Sequence, residues 1–410
     1  MKLAALAVLI LSIVLITGCA STSGPAVQPL HADRSGGDRQ NQSQPPPTQP
    51  YRGFNEFGPC EGTGIVALTA SPLKPEDINY IEPMGAVRPG GGHVTPIDHQ
   101  YWIPSTSSDV ANYDVHAPAA GRIVSIQHME QFIGEAGPNA PKIDDYRIVL
   151  GFTCDFYAIY IHVKELSPKI LSLTGNISGH RSVDIPVDAD EVIGKVGKSF
   201  DFSVHDKNVT LGFIVPAHYA MEPWKIHTAD PFDYFTEPLR SRLMEKNLRS
   251  AQPFGGKIDH DIDGRLIGNW FKEGTNGYEG ASQQRYWEGH LSFLYESIDP
   301  SHTVVSTGDF LGRSEFFGVK GNPDPALADI SSGLVKYELV RYSLYKDAQP
   351  WSYYQNSGFA GGLKAINLDE VQGTMLVQML SDRKIKVEIF AGKTASQVSG
   401  FTSNAVVYER

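Results

Sequence analysis

Cysteine is scarce in this chain. Three occur in 410 residues, Cys19, Cys60 and Cys154, and none stands at CxxC spacing, which excludes a dithiol redox centre. Positive charge is also in short supply: 35 Lys and Arg against 46 Asp and Glu leave a formal net charge of -11. A chain without a basic excess lacks the face that phosphate binding needs, so a nucleic-acid partner is excluded. No Gly-rich phosphate loop with its Lys and no nucleophile-elbow Ser is present. No long stretch carries the helical hydrophobic period. The apolar run Leu3 to Ile16 is too short to span a bilayer comfortably.

What the chain has in abundance is turn formers, 40 Gly and 27 Pro, together with 41% hydrophobic residues. That balance favours β structure with a sizeable core, and the length suits two or three domains. Residues 1–19 read as a targeting segment, with Lys2 before the apolar run. The run ends in Ile16-Thr17-Gly18-Cys19, which resembles the bacterial lipobox. The resemblance implies a lipidated Cys19 at a new N-terminus and a protein held on a membrane surface without crossing it. Ala20 in place of Asp resembles outer-membrane sorting, so the implied location is the outer membrane or the outer face of the cell membrane. The alternative is an ordinary signal peptide with an unrelated cysteine. An exported compartment permits a Cys60–Cys154 disulfide; two separate buried thiols are the other reading.

Residues 20–56 are rich in Ser, Gln, Pro and Asn around Pro45-Pro46-Pro47 and read as a disordered tether. A first β domain is expected over 57–238. Its strand candidates are Gly64 to Leu68, a strand–turn–strand across Tyr113 to Ile126, the pair Tyr146 to Leu150 and Tyr157 to Val163, then Glu191 to Gly197 and Ser199 to Asp206. A basic helix is predicted over Leu239 to Leu248 within a linker of 239–254. Residues 255–410 read as a second β domain, a barrel or a sandwich, with strands at Gly264 to Phe271, His290 to Tyr295, Thr303 to Ser306, Val335 to Tyr345, Gly373 to Leu380 and Lys384 to Phe390. The last two form a hairpin over Ser381-Asp382-Arg383.

The chemistry-bearing stretch is GGHVTPIDHQYW, Gly91 to Trp102, where His93, Asp98 and His99 follow a glycine run that suits a loop. Downstream come Val115-His116-Ala117-Pro118-Ala119-Ala120-Gly121-Arg122-Ile123, then Tyr160-Ile161-His162, then Ile193-Gly194-Lys195-Val196-Gly197, and finally Asp230-Pro231. In order and spacing these segments resemble the lysostaphin-type zinc endopeptidases, which cleave peptide cross-links in peptidoglycan on a small β scaffold, the duplicated hybrid motif. The resemblance covers about residues 93–235. It implies zinc ligands His93 and Asp98, with His162 assisting catalysis. Two departures fall on the metal site. His93 and Asp98 are five residues apart rather than four, and the closing H-x-H is replaced by Asp201-Phe202-Ser203-Val204-His205. Period-two geometry puts Asp201, Ser203 and His205 on one face, so Asp201 and His205 are the remaining candidate metal ligands. Three protein ligands and a water make a catalytic zinc, which supplies an acidified water as nucleophile. A His93–Asp98 hydrogen bond bracing the loop is the plainer alternative.

Asp259-His260-Asp261-Ile262-Asp263-Gly264 looks like the start of a calcium loop, but its twelfth position is Trp270 where a bidentate Glu is required. An acidic solvated turn is expected there instead. Trp270, Phe271, Trp287, Phe293 and Tyr295 are expected as core or cross-strand residues, a ligand-binding interior being the sharper reading. Trp351, Tyr353 and Tyr354 are expected to form a loop packed on the barrel.

An all-β protein is expected, and the resemblances imply an envelope protein whose degenerate peptidase-like domain binds or organises envelope polymer such as peptidoglycan without hydrolysis. The rivals are an active zinc endopeptidase and a small-molecule or lipid carrier built on the second domain, so both enzymatic and non-enzymatic readings stand. The lipobox reading is checked by fractionation: Cys19→Ser should move the protein from the membrane to the soluble fraction, and continued membrane retention would refute the anchor.

Overall fold

The computed structural model of the protein describes residues 60–88, 92–108, 110–132, 142–352 and 361–410, all within the compact unit 49–410. Cys19, the leader, the tether, Tyr353 and Tyr354 lie outside the described residues. The architecture is all-β, as expected, with two short α-helices among the described residues, α1 (Pro168–Thr174) and α2 (Leu239–Met244).

The first half contains β1 (Ile78–Glu82), β2 (Gln100–Pro104), β3 (Tyr113–His116), β4 (Gly121–Phe132), β5 (Lys142–Gly151), β6 (Phe156–Val163), β7 (Glu165–Leu166), β8 (His180–Val187), β9 (Val192–Val196), β10 (Phe200–Asp206) and β11 (Thr228–Ala229). Its main antiparallel sheet runs β1-β2-β10-β6-β5-β4-β8, with β11 on β10; β3-β9-β7 form a small second sheet. Alternation on β10 decides which face is buried where. Phe200, Phe202 and Val204 enter the core with Trp102, Phe156 and Tyr160. Aromatic edges lock this layer: Trp102 meets Phe202 at 5.4 Å, and Tyr160 meets Phe200 at 4.8 Å between ring centroids. The Tyr160 hydroxyl donates to the His116 carbonyl at 3.0 Å, so its polar end is satisfied in the core.

The strand–turn–strand across Tyr113 to Ile126 is present as β3 and β4, but the two do not pair with each other: β3 pairs with β9, while β4 pairs with β5 and β8. The Pro118 carbonyl accepts instead from the N–H groups of Thr69 and Ala70, so a third segment occupies the turn. Two local expectations are corrected. Gly64 to Leu68 forms no strand beyond an isolated bridge from Leu68 to Phe235. Gly62 and Gly64 have φ of 72° and 82°, which breaks an extended run. The end of the glycine-flanked loop is strand: Gln100 to Trp102 belong to β2. Cys60 and Cys154 are joined in a disulfide that ties the start of the described chain to the β5–β6 turn.

The second half contains β12 (Gly268–Lys272), β13 (His290–Tyr295), β14 (Thr303–Phe310), β15 (Arg313–Val319), β16 (Leu334–Lys346), β17 (Gln349–Trp351), β18 (Lys364–Ser381), β19 (Lys384–Ala391) and β20 (Val406–Glu409). Each barrel strand pairs antiparallel with the next, and β20 returns to β12, so the sheet closes into an up-and-down barrel with β17 outside the ring on β16. Of the barrel and the sandwich expected from sequence, it is the barrel. The β18–β19 hairpin turns where expected, with Ser381 opposite Lys384. Trp270, Phe293, Phe317, Tyr337, Met375 and Val387 pack together through the interior. Trp270 is fully buried; its indole N–H donates to the Leu266 carbonyl at 2.8 Å, and the Arg410 guanidinium lies 4.1 Å over its ring. Asp261 is not part of a solvated turn. It is buried, accepts from the N–H groups of Ile214 and Asn269, and pairs with Arg410 at 3.6 Å.

The two halves share a core. Met84, Phe213 and Tyr219 from the first pack against Ile258, Phe271 and Tyr278 of the second. Trp270→Ala should destabilise the protein by about 3–5 kcal/mol, the usual cost of emptying a buried aromatic site; the shift in urea unfolding midpoint measures it.

Candidate functional site

The face of β10 opposite the core carries Asp201, Ser203 and His205, all buried, as period two requires. Across β6 their partners are Ile161, Ile159 and Tyr157; across β2, Asp201 stands beside Tyr101. His162 needs a further device. Simple alternation would send it into the core with Tyr160. The β5–β6 register shifts between Tyr146 and Ile148, and His162 takes a left-handed φ of 70°. Such backbone is uncommon outside Gly, though His, Asn and Asp tolerate it best, and it clusters at functional sites. The irregularity turns His162 to the same side as Ile161, next to Asp201.

The result is a file of alternating charges. Glu222 meets the Lys225 ammonium at 3.3 Å, and Lys225 meets Asp98 Oδ2 at 3.0 Å. Asp98 Oδ1 lies 3.1 Å from His99 Nδ1, and His99 Nε2 lies 3.2 Å from Asp201 Oδ2. The same Asp201 oxygen is 3.3 Å from His162 Nε2, and His162 Nδ1 is 3.0 Å from Asp145 Oδ2. Each imidazole thus faces carboxylates through both nitrogens, which favours the doubly protonated cation.

The titration behaviour follows. Burial opposes charge on His99, but the Asp201 carboxylate, helped by Asp98, outweighs it and lifts His99 to about 9. Burial likewise opposes charge on His162, and Asp201 with Asp145 raises it well above the ordinary imidazole value. Burial would raise Asp201, yet His162 and His99 hold it ionised far below the usual carboxylate range. Burial would also raise Asp98, and Lys225 and His99 hold it well below. His93 is different: burial first, then the positive charges of His99 and Lys225, lower it to about 4. Burial alone leads for His205, also lowered to about 4. His205 Nε2 and the Ser203 hydroxyl are 2.9 Å apart, and its Nδ1 donates to the Trp224 carbonyl at 3.2 Å.

Beside this file opens a cavity of about 260 Å³. His93, Asp98 and His99 form one wall; Trp224 and Lys225 form another, with Arg147 stacked on Trp224 at 5.0 Å. The barrel half supplies the cover. Tyr278 and Tyr286, from the connection between β12 and β13, line the same cavity, and the Lys225 ammonium sits 5.0 Å over the Tyr278 ring.

The residues singled out from sequence therefore gather around one place. Asp98, His162, Asp201 and His205 are brought together with His93, whose ring is 5.8 Å from that of His99. Several polar atoms a metal would need are engaged otherwise: Asp98 by Lys225 and His99, Asp201 Oδ2 by two imidazoles, His205 by Ser203 and Trp224; Asp201 Oδ1 is buried with no hydrogen-bond partner among the described residues. Asp98 is bonded to these partners rather than to His93. Among the described residues no group of three or more His, Cys, Asp and Glu is arranged to hold a metal ion. Sequence reasoning missed Asp145, Glu222, Lys225 and Tyr278, and left His99 outside the ligand set. The adjacency of His99 to Asp98 was a visible signal; nothing local marks Lys225.

No known protein family matches the sequence. No curated protein matches it. A chain from the solved structure of the SpoIIQ–SpoIIIAH pore-forming complex aligns over 43% of this chain and 96% of its own length, at 12% identity and a TM-score of 0.26, a likeness too low to carry an argument.

Two outcomes are expected. Asp201→Asn leaves two imidazolium groups without their shared counter-ion; it should cost about 3–5 kcal/mol and lower His99 from about 9 in an NMR titration, Asp98 alone remaining to hold its proton. The wild type should be most stable near pH 6.5. His99 stabilises the fold fully below its ordinary value of 6.5 and gives that up as pH rises through about 9. His93 and His205 exclude a proton down to about 4, so stability also falls as pH drops from 6.5. Melting temperature against pH checks both arms.

Proposed function

We propose that this protein is an exported lipoprotein, anchored through Cys19, whose first half is a degenerate lysostaphin-type domain that binds peptidoglycan or a related envelope polymer without cleaving it. The observation that carries this reading is the Lys225 ammonium on Asp98. A charge that a metal would have to displace already neutralises the carboxylate, and His99 and His162 do the same for Asp201. The cavity retains what a peptide-bearing polymer needs: flat aromatic surface from Trp224 and Tyr286, with Arg147, Gln127 and Glu222 for amide and charged groups. The 20–56 tether gives the folded part reach from the membrane.

The alternative of an active zinc endopeptidase, with His93, Asp98 and Asp201 or His205 as ligands and His162 as the catalytic partner, requires Lys225 to withdraw. The carrier alternative finds little support in a barrel interior occupied by its own side chains.

Co-sedimentation with purified peptidoglycan tests the proposal. Binding should be saturable, and Trp224→Ala should weaken it by about tenfold, as for an aromatic anchor. Elemental analysis and muropeptide release run alongside. Stoichiometric zinc with cleavage that His93→Ala and Asp98→Ala abolish would replace binding by hydrolysis.

A further inference from the structure

A second cavity, of about 300 Å³, lies between the Glu82-to-Arg88 segment of the first half and the outer wall of the barrel. From the first half come Glu82 and Arg88; from the barrel come Leu294, Glu296, Phe316, Tyr342 and Trp351. The barrel residues are those that alternation turns outward. Phe293, Val305 and Phe317 fill the interior, while Leu294, Val304 and Phe316 face this cavity.

The charges do not balance inside it. Glu82 is paired with Arg88. Glu296 is 6% exposed, and one of its oxygens accepts from the backbone N–H groups of Ile298 and Asp299, both at 2.7 Å. The Ser297 hydroxyl reaches the other oxygen at 3.4 Å. Among the described residues no cation forms an ion pair with it. Arg249 is close by, but its guanidinium donates to the carbonyls of Ala251, Gln252, Pro253 and Ser297. A buried carboxylate that lacks a counter-ion resists ionising. Burial, despite the backbone donors and helped by Glu82, pushes Glu296 up to about 7. Three rings stand around the same space: Phe316 packs on Tyr342 at 5.7 Å, and Trp351 closes the side. A buried carboxylate facing aromatic surface is the chemistry that holds an organic ammonium.

We propose that this cavity is a binding site for a small ligand bearing a primary ammonium group, which pairs with Glu296 and lies against Tyr342 and Trp351. The volume admits a molecule the size of an amino acid or a short diamine. The proposal is independent of the cleft around Asp201, because it uses none of that cleft's residues.

Isothermal titration of the full-length protein with cadaverine, with lysine and with the uncharged isostere pentanediol tests it. Cadaverine or lysine should bind saturably below about 10 mM and pentanediol should not. Glu296→Gln keeps an oxygen for the two backbone donors and removes the charge; it should weaken amine binding about tenfold or more. Ser343→Trp, placed on the half-buried wall, fills the space and should abolish binding while leaving Glu296 in place. Amine binding unchanged in both variants would mean attraction to the acidic surface and overturn the proposal. So would equal binding of pentanediol, or no saturable binding of either amine.

Discussion

Asp201 is the point on which the first half turns. It is buried on β10, between β2 and β6, and one of its oxygens serves two imidazoles. Ions taken out of water are tolerated only when partners surround them. Here the partners form a continuous file from Glu222 through Lys225, Asp98, His99, Asp201 and His162 to Asp145, drawn from strands, loops and the turn after β10. Removing one member strands its neighbours, so the file specifies the arrangement of every segment that contributes to it. It also sets the chemistry. Carboxylates that neutralise internal cations are poor candidates for gripping an external one.

The barrel is more than an appended domain. Its β12–β13 connection delivers Tyr278 and Tyr286 over the cleft, and its outer wall builds most of the second cavity. Glu82 and residues 85–88 line one cavity, and His93, Asp98 and His99 line the other. Arg88 pairs with Glu82 in the first, and its guanidinium lies 5.2 Å over the Tyr101 ring, which itself meets His99 edge-on at 5.1 Å in the second. Rings and charges in contact thus link the two sites.

Much of this was legible in the residues. Period-two alternation gave the two faces of β10, and hence the convergence of Asp201 and His205 with the early loop. Turn chemistry marked the β18–β19 hairpin to the residue. Other features depend on non-local partners and leave no such trace. His162 reaches the cleft through a register shift that alternation cannot foretell. Lys225 is an unremarkable cation until the fold sets it against Asp98. The acidic run at Asp259 to Asp263 looked solvated because Arg410, about a hundred and fifty positions later, and the amides of Ile214 and Asn269 are invisible to local pattern. The turn at Pro118 gives no sign that Thr69 and Ala70 will claim its carbonyl.

The tyrosine roof over Lys225 carries a consequence for dissecting the protein. Severing the chain after Pro238 would strip the ring from that ammonium and lay bare the patch where Met84, Phe213 and Tyr219 now meet Phe271. A fragment made this way would own a wetter, stickier and differently charged groove than its parent. Whatever it bound or failed to bind would describe the excision rather than the whole.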